Sequence, residues 1–96
     1  MKIENKIIKL INKIQKPEDV EIRLIQDNNS KWYIRWGGYS EIYLKGSKSS
    51  INLGLTEFIE IDDNSVVKFI DTDENNTIQQ RGAYPLNLIE KIVLGI

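Results

Sequence analysis

The spacing of apolar residues changes at Pro17, and this change constrains the fold more than any other feature of the sequence. In residues 2–16, apolar residues recur every three or four positions, so they fall on one side of a helix with the lysines opposite. Because proline disfavours a helical conformation in the residue before it, this helix is expected to end there. From Val20 onwards apolar and polar residues alternate, which is typical of half-buried strands.

The middle of the chain is therefore predicted to form an antiparallel β-meander of five to seven short strands. The segments with a strand pattern are residues 20–24, 31–36, 39–45, 51–55, 56–61, 66–70 and 77–81. Gly37-Gly38 fits a two-residue hairpin turn that needs positive φ angles. Polar turns are predicted at residues 27–30, 62–65 and 71–76, where Asp, Asn and Ser side chains can bind their own backbone.

The C-terminal segment is predicted to be a second helix. Pro85 suits the first turn of a helix, and five apolar residues after it share one helical face: Leu86, Ile89, Ile92, Val93 and Ile96. Each helix must bury its apolar stripe. The prediction is thus a single α+β domain over residues 1–96, with both helices packed on the sheet. The alternative is a small curled β-barrel with the helices as plugs.

Composition excludes several kinds of chemistry. The chain has no cysteine and no histidine, so thiolate nucleophiles, zinc–thiolate sites and imidazole bases are impossible. It also has no phosphate-binding glycine loop and no nucleophile elbow. We therefore expect a protein that is not an enzyme and that uses no cofactor or metal.

Charge is distributed unevenly although the net charge is only −1. One group of lysines occupies the polar side of the N-terminal helix: Lys2, Lys6, Lys9, Lys13 and Lys16. A group of carboxylates is concentrated in the later hairpins: Glu57, Glu60, Asp62, Asp63, Asp71, Asp73 and Glu74. Opposed patches of this kind steer partners and set their orientation.

Aromatic residues are concentrated between Trp32 and Tyr43. Strand alternation places the tryptophans on the core side and points Tyr33 and Arg35 the other way. Tyrosine and arginine are enriched at binding hot spots. Tyr33, Arg35 and Tyr43, or else the acidic hairpins, are the predicted contact surface for a partner protein.

These observations predict a small non-catalytic protein-binding module, an accessory or inhibitor protein of the immunity, antitoxin or anti-defence type. The abundance of Ile, Lys and Asn suggests a low-GC bacterium, or a phage or mobile element within one. No apolar run is long enough for a signal peptide or a membrane span, so a cytoplasmic protein without membrane contact is expected. The alternative is a nucleic-acid-binding protein that uses the lysine face. A homodimer is possible.

Overall fold

The computed structural model describes residues 3–26 and 32–95, which form one curled seven-stranded sheet and a single α-helix. The elements are α1 (Ile3–Ile11), β1 (Ile14–Gln15), β2 (Arg23–Gln26), β3 (Trp32–Leu44), β4 (Ile51–Ile61), β5 (Val66–Thr72), β6 (Ile78–Pro85) and β7 (Ile89–Leu94). One turn of 3-10 helix, Leu86–Leu88, connects β6 to β7.

The long strand β3 organises the sheet. Along one edge it pairs with β4, and along the other it pairs first with β2 and then with β7. The strand order is β1-β7-β3-β4-β5-β6, with β2 beside the first half of β3. All pairs are antiparallel except β1 with β7, which is parallel. The chain therefore returns at its end to place β7 between the first and third strands.

One face of the sheet, here called the core face, carries the hydrophobic core. Ile34, Ile59 and Phe69 are cross-strand neighbours on this face and are almost completely buried. Helix α1 contributes Ile7 and Leu10 to the same core. Because neighbours in register point to the same side of a pleated sheet, the residues between them form a second face, where the candidate site lies.

The predicted α+β class is wrong, because the C-terminal segment is a strand and not a helix. Ile89 and Ile92 are fully buried, whereas Val93 is only half-buried. The register against β3 shifts between Tyr43 and Leu44, so Glu90 is an extra residue in β7. Because of this bulge, the inward side chains of Ile89 and Ile92 are three positions apart instead of two. The resulting spacing imitates the period of a helix. Both the two-helix arrangement and the barrel with two helical plugs are thereby excluded.

The N-terminal helix is shorter than predicted. Helix α1 ends at Ile11, and Ile14 pairs with Ile92 in the parallel β1–β7 ladder. The backbone oxygen of Lys13 accepts a hydrogen bond from the Ile92 amide at 2.8 Å. Ile14 fits the helical period, but it is half-buried against the core through a strand pairing that no local pattern encodes.

The predicted hairpin at Gly37-Gly38 is absent. These residues lie within β3, at a register shift between Arg35 and Gly38, and Gly38 has a φ of 144°. The glycines therefore allow a bulge in a continuous strand. Two predicted strands, residues 51–55 and 56–61, are likewise one strand, β4. The turn at residues 62–65 is confirmed, and the one predicted at residues 27–30 lies outside the described residues.

Candidate functional site

Two adjoining cavities form a groove on the second face of the sheet. One has a volume of about 410 Å³ and is lined by Ile25, Tyr33, Arg35, Phe58, Glu60, Ile70 and Ile78. The other has a volume of about 640 Å³, and its lining includes Arg23, Glu57, Asp71 and Thr72. Ile25 and Arg35 line both cavities. We call the whole the second-face groove, with an apolar half and a polar half.

Strand register explains why these side chains meet. Arg35 lies opposite Arg23 on β2 and opposite Phe58 on β4, and Phe58 in turn lies opposite Ile70 on β5. Tyr33 is placed in the same way in the neighbouring row. Because cross-strand neighbours share a face, residues far apart in sequence form one continuous surface.

The apolar half exposes hydrophobic surface to solvent. The rings of Tyr33 and Phe58 lie with their centroids 6.3 Å apart. Ile78 on β6 is 68% exposed and Ile25 on β2 is 38% exposed. Exposed apolar clusters with a polar rim mark interaction sites more often than single exposed residues do. Both isoleucines thus keep a substantial apolar surface exposed within the described part of the chain.

The polar half is organised by the carboxylate of Glu57. Its Oε1 accepts a hydrogen bond from the Arg35 guanidinium at 3.1 Å, and its Oε2 accepts one from the Thr72 hydroxyl at 2.7 Å. Asp71 accepts a hydrogen bond from Arg81 at 3.2 Å. The Arg35 side chain remains 56% exposed. Arg35 is thus oriented at the boundary between the two halves while its charge remains accessible.

The two surfaces predicted from the sequence as alternatives partly coincide here. Tyr33 and Arg35 line the groove together with the carboxylates Glu57, Glu60 and Asp71. Tyr43 does not line it. Its ring instead lies beneath the Lys91 ammonium, 4.4 Å from the ring centroid.

The other predicted carboxylates lie in turns. Asp62 and Asp73 each accept hydrogen bonds from two backbone amides of their own turn, so they shape the hairpins. Asp63 and Glu74 are exposed turn residues outside the groove.

Local interactions lower the pKa of Asp62. Burial pushes the pKa of Asp62 upward, but the amides of Val66 and Asn64 and the Lys68 ammonium outweigh it and lower the pKa below 3.8. A carboxylate whose pKa is lowered by folding stabilises the native state above its unfolded pKa. That contribution is lost as the pH falls through the folded pKa.

Asp62→Asn is therefore expected to cost about 0.5–1 kcal/mol of unfolding free energy at neutral pH, since the amide oxygen can still accept the turn hydrogen bonds. The cost should shrink in acid, as the pH falls through the lowered pKa of wild-type Asp62 and its carboxylate becomes protonated. Urea denaturation at several pH values measures it. Asp63→Asn, at the exposed neighbouring position, is the control. An equal effect of both substitutions would contradict this role of Asp62.

The lysines do not form the predicted helical face. Lys6 is buried and its Nζ donates to the backbone oxygen of Asp63 at 2.7 Å. Lys13 and Lys16 lie beyond the end of α1, and the Nζ of Lys13 donates to the backbone oxygen of Ile89 at 2.6 Å. Lys9 is exposed on the helix, whereas Lys2 lies outside the described residues.

Four residues of the apolar half of the groove were not predicted: Ile25, Phe58, Ile70 and Ile78. Strand alternation could have indicated that Ile25 points away from the core, since it follows the inward pattern of residues 20–24. No local signal placed Ile78 beside it, because β2 and β6 lie at separate edges of the sheet.

Among the described residues, no group of three or more acidic side chains could hold a metal ion. No helix within the described ranges is long and apolar enough to cross a membrane.

No protein-family model, curated protein or solved structure matches this chain.

Proposed function

We propose that this protein is a small non-catalytic binding module that holds an extended segment of a partner protein in the second-face groove. The observation that carries the proposal is the exposed apolar half of the groove beside Arg35, which Glu57 orients at 3.1 Å. Aromatic and arginine side chains at the centre of such a surface supply most of the binding energy in protein interfaces. The groove is large enough for several side chains of a peptide.

Strand β2 favours an extended partner segment. It pairs only with β3 among the described strands, and all four of its residues are exposed. A strand at the edge of a sheet can offer backbone donors and acceptors to an added strand, and residues 23–25 lie at such an edge among the described strands. Such a strand would place alternate side chains on the second face, one next to Ile25 and one next to Arg23. The segment that fits has an apolar residue two positions from an acidic one.

The small size of the module and the absence of cysteine and histidine from its sequence support the following biological role. We propose an accessory or inhibitor protein of the immunity, antitoxin or anti-defence type, from a bacterium, a phage or a mobile element, acting in the cytoplasm. The location and origin rest on the sequence alone. Nucleic-acid binding is not proposed, because α1 ends at Ile11 and the lysines at positions 13 and 16 lie beyond it, so the predicted continuous lysine face of a helix is not formed.

Site-specific crosslinking tests the proposal. A photoreactive amino acid is placed at Tyr33, in the groove, and in a matched variant at Tyr43, outside it, and the protein is irradiated in cells of its host. We expect a partner protein to be captured from position 33 and not from position 43.

The captured partner is then purified and its affinity is measured by calorimetry. Ile78→Lys should weaken binding at least about tenfold, because it places a charge in the apolar half. Leu88→Lys, which changes another exposed apolar residue outside the groove, should change the affinity less than about twofold. Equal weakening by both would contradict the proposed site. Capture of a second copy of the chain from position 33 would show a homodimer interface instead of a partner site.

A further inference from the structure

A separate cavity on the molecule is lined by cations and amides and by no carboxylate. Its volume is about 570 Å³, and it lies where four segments of the chain converge: the end of α1, the β3–β4 loop, the β4–β5 turn and the 3-10 turn. The lining residues are Lys9, Asn12, Lys13, Lys45, Asn64, Ser65, Pro85, Leu86 and Asn87. None of them lines the second-face groove.

Hydrogen bonds hold the walls of this cavity in fixed positions. The Nζ of Lys13 is fixed by its 2.6 Å hydrogen bond to Ile89, and Lys13 is half-buried. The Leu86 amide donates to the backbone oxygen of Ser65 at 2.8 Å, which ties the 3-10 turn to the β4–β5 turn. The Lys45 amide donates to the backbone oxygen of Leu88 at 2.8 Å, which fixes the third wall. An ammonium group that is already positioned loses little freedom when it binds a ligand.

The helix C-terminus explains only part of the positive charge around this cavity. A helix C-terminus attracts cations, and this accounts for lysines at positions 9 and 13. It does not account for Lys45, which arrives from a loop between two strands. The nearest acidic residue in the sequence of the turn, Asp63, does not line the cavity, and the Asp62 carboxylate binds the turn amides and Lys68. Three lysines thus line one cavity together with asparagine and serine residues.

We infer that this cavity binds the phosphate group of a small phosphorylated molecule. Lysine ammonium groups bind phosphate as point charges, and amide and hydroxyl side chains supply further donors. The volume exceeds that of a single phosphate, and the apolar Pro85 and Leu86 in the wall fit the organic part of such a ligand.

Inorganic pyrophosphate is the probe for this inference, titrated at constant ionic strength and followed by ¹H–¹⁵N NMR. We expect saturable shifts confined to the amides of the lining residues, with a dissociation constant below about 1 mM. The double variant Lys9→Gln/Lys45→Gln should weaken binding at least about tenfold, because each lost charge-assisted contact is costly. Both residues are exposed, so the fold should be retained. Lys16→Gln/Lys48→Gln, which removes two exposed lysines outside the cavity, is the matched control and should bind as the wild type does.

Three results would overturn the inference. The first is the absence of saturation at about 10 mM pyrophosphate. The second is equal weakening in the control pair, which would indicate attraction by net charge alone. The third is binding of a single-stranded oligonucleotide without saturable binding of pyrophosphate, which would assign the lysines to a nucleic-acid backbone. Crosslinking from position 33 is independent of each of these results, so the two proposals can fail separately.

Discussion

Phe69→Ala is expected to lower the free energy of unfolding by about 3–5 kcal/mol, because it leaves a large cavity in the core. Phe69 is fully buried, and its ring meets that of Tyr84 edge-on with 6.4 Å between centroids. Strands β4 and β6 bond to both sides of β5, so the backbone has little freedom to close the cavity. A domain of this size is stable by about 5–15 kcal/mol, and the variant should unfold at a much lower urea concentration.

Phe58→Ala is the matched control, since the chain has only two phenylalanines. Phe58 is half-buried on the second face, and the neighbouring row carries Phe69 on the core face. Its truncation should cost about 1–2 kcal/mol and should weaken capture of the partner segment. Urea denaturation compares the two variants. If both lose the same stability, the assignment of the two faces is wrong.

Ile92→Ala is expected to cost about 2–5 kcal/mol. Ile92 is completely buried and lies between Ile14 of β1 and Ile42 of β3. Both neighbouring strands depend on it, so the loss should appear as a lower midpoint of a single cooperative transition. Thermal and urea unfolding both measure it.

The same truncation at an exposed position serves as its control. Ile8 lies on α1 and is 56% exposed, and alanine is the better helix former. Ile8→Ala should therefore change the stability by less than about 0.5 kcal/mol. The unfolding midpoint should not depend on protein concentration. If the midpoints of both the wild type and Ile92→Ala fall on dilution, β7 is buried against a second copy of the chain.

Strand alternation predicted the parts of the fold in which each strand keeps one face to the core. Trp36 was placed on the core side in this way and is buried, because the period of a strand is independent of its partners. The turn that begins at Asp62 was readable for a similar reason, since the Asp62 side chain binds amides two and four residues ahead. In both cases the decisive interaction is local.

The errors occur where the decisive interaction is not local. The bulge at Glu90 is defined by the register of β7 against β3, and from β7 alone it resembles a helical repeat. Ile14 is half-buried, and its strand partner Ile92 lies 78 positions further along the chain. Gly37-Gly38 has the composition of a hairpin turn, but β4 and β7 continue the pairing past it.

In the candidate site, too, the residues placed by local patterns could be predicted and those placed by distant strand pairings could not. Tyr33 and Arg35 could be named from alternation, since their strand has a clear inward face. Their neighbours could not, because Ile78 reaches the groove through the pairing of three further strands. The lysine pattern was misleading for a related reason. Lys6 and Lys13 donate to backbone oxygens of β4–β5 and β7, and these oxygens are distant in sequence.

The position of β7 imposes an order on synthesis and folding. This strand emerges from the ribosome after the other six, yet it pairs with β1 and β3 on its two sides. The edges of β1 and β3 that β7 covers therefore stay uncovered until the end of the chain has been synthesised. Contacts that span so much of the chain also make folding slow. Until β7 has emerged from the ribosome, the part of the β3 edge that it later covers is open to pairing with other chains.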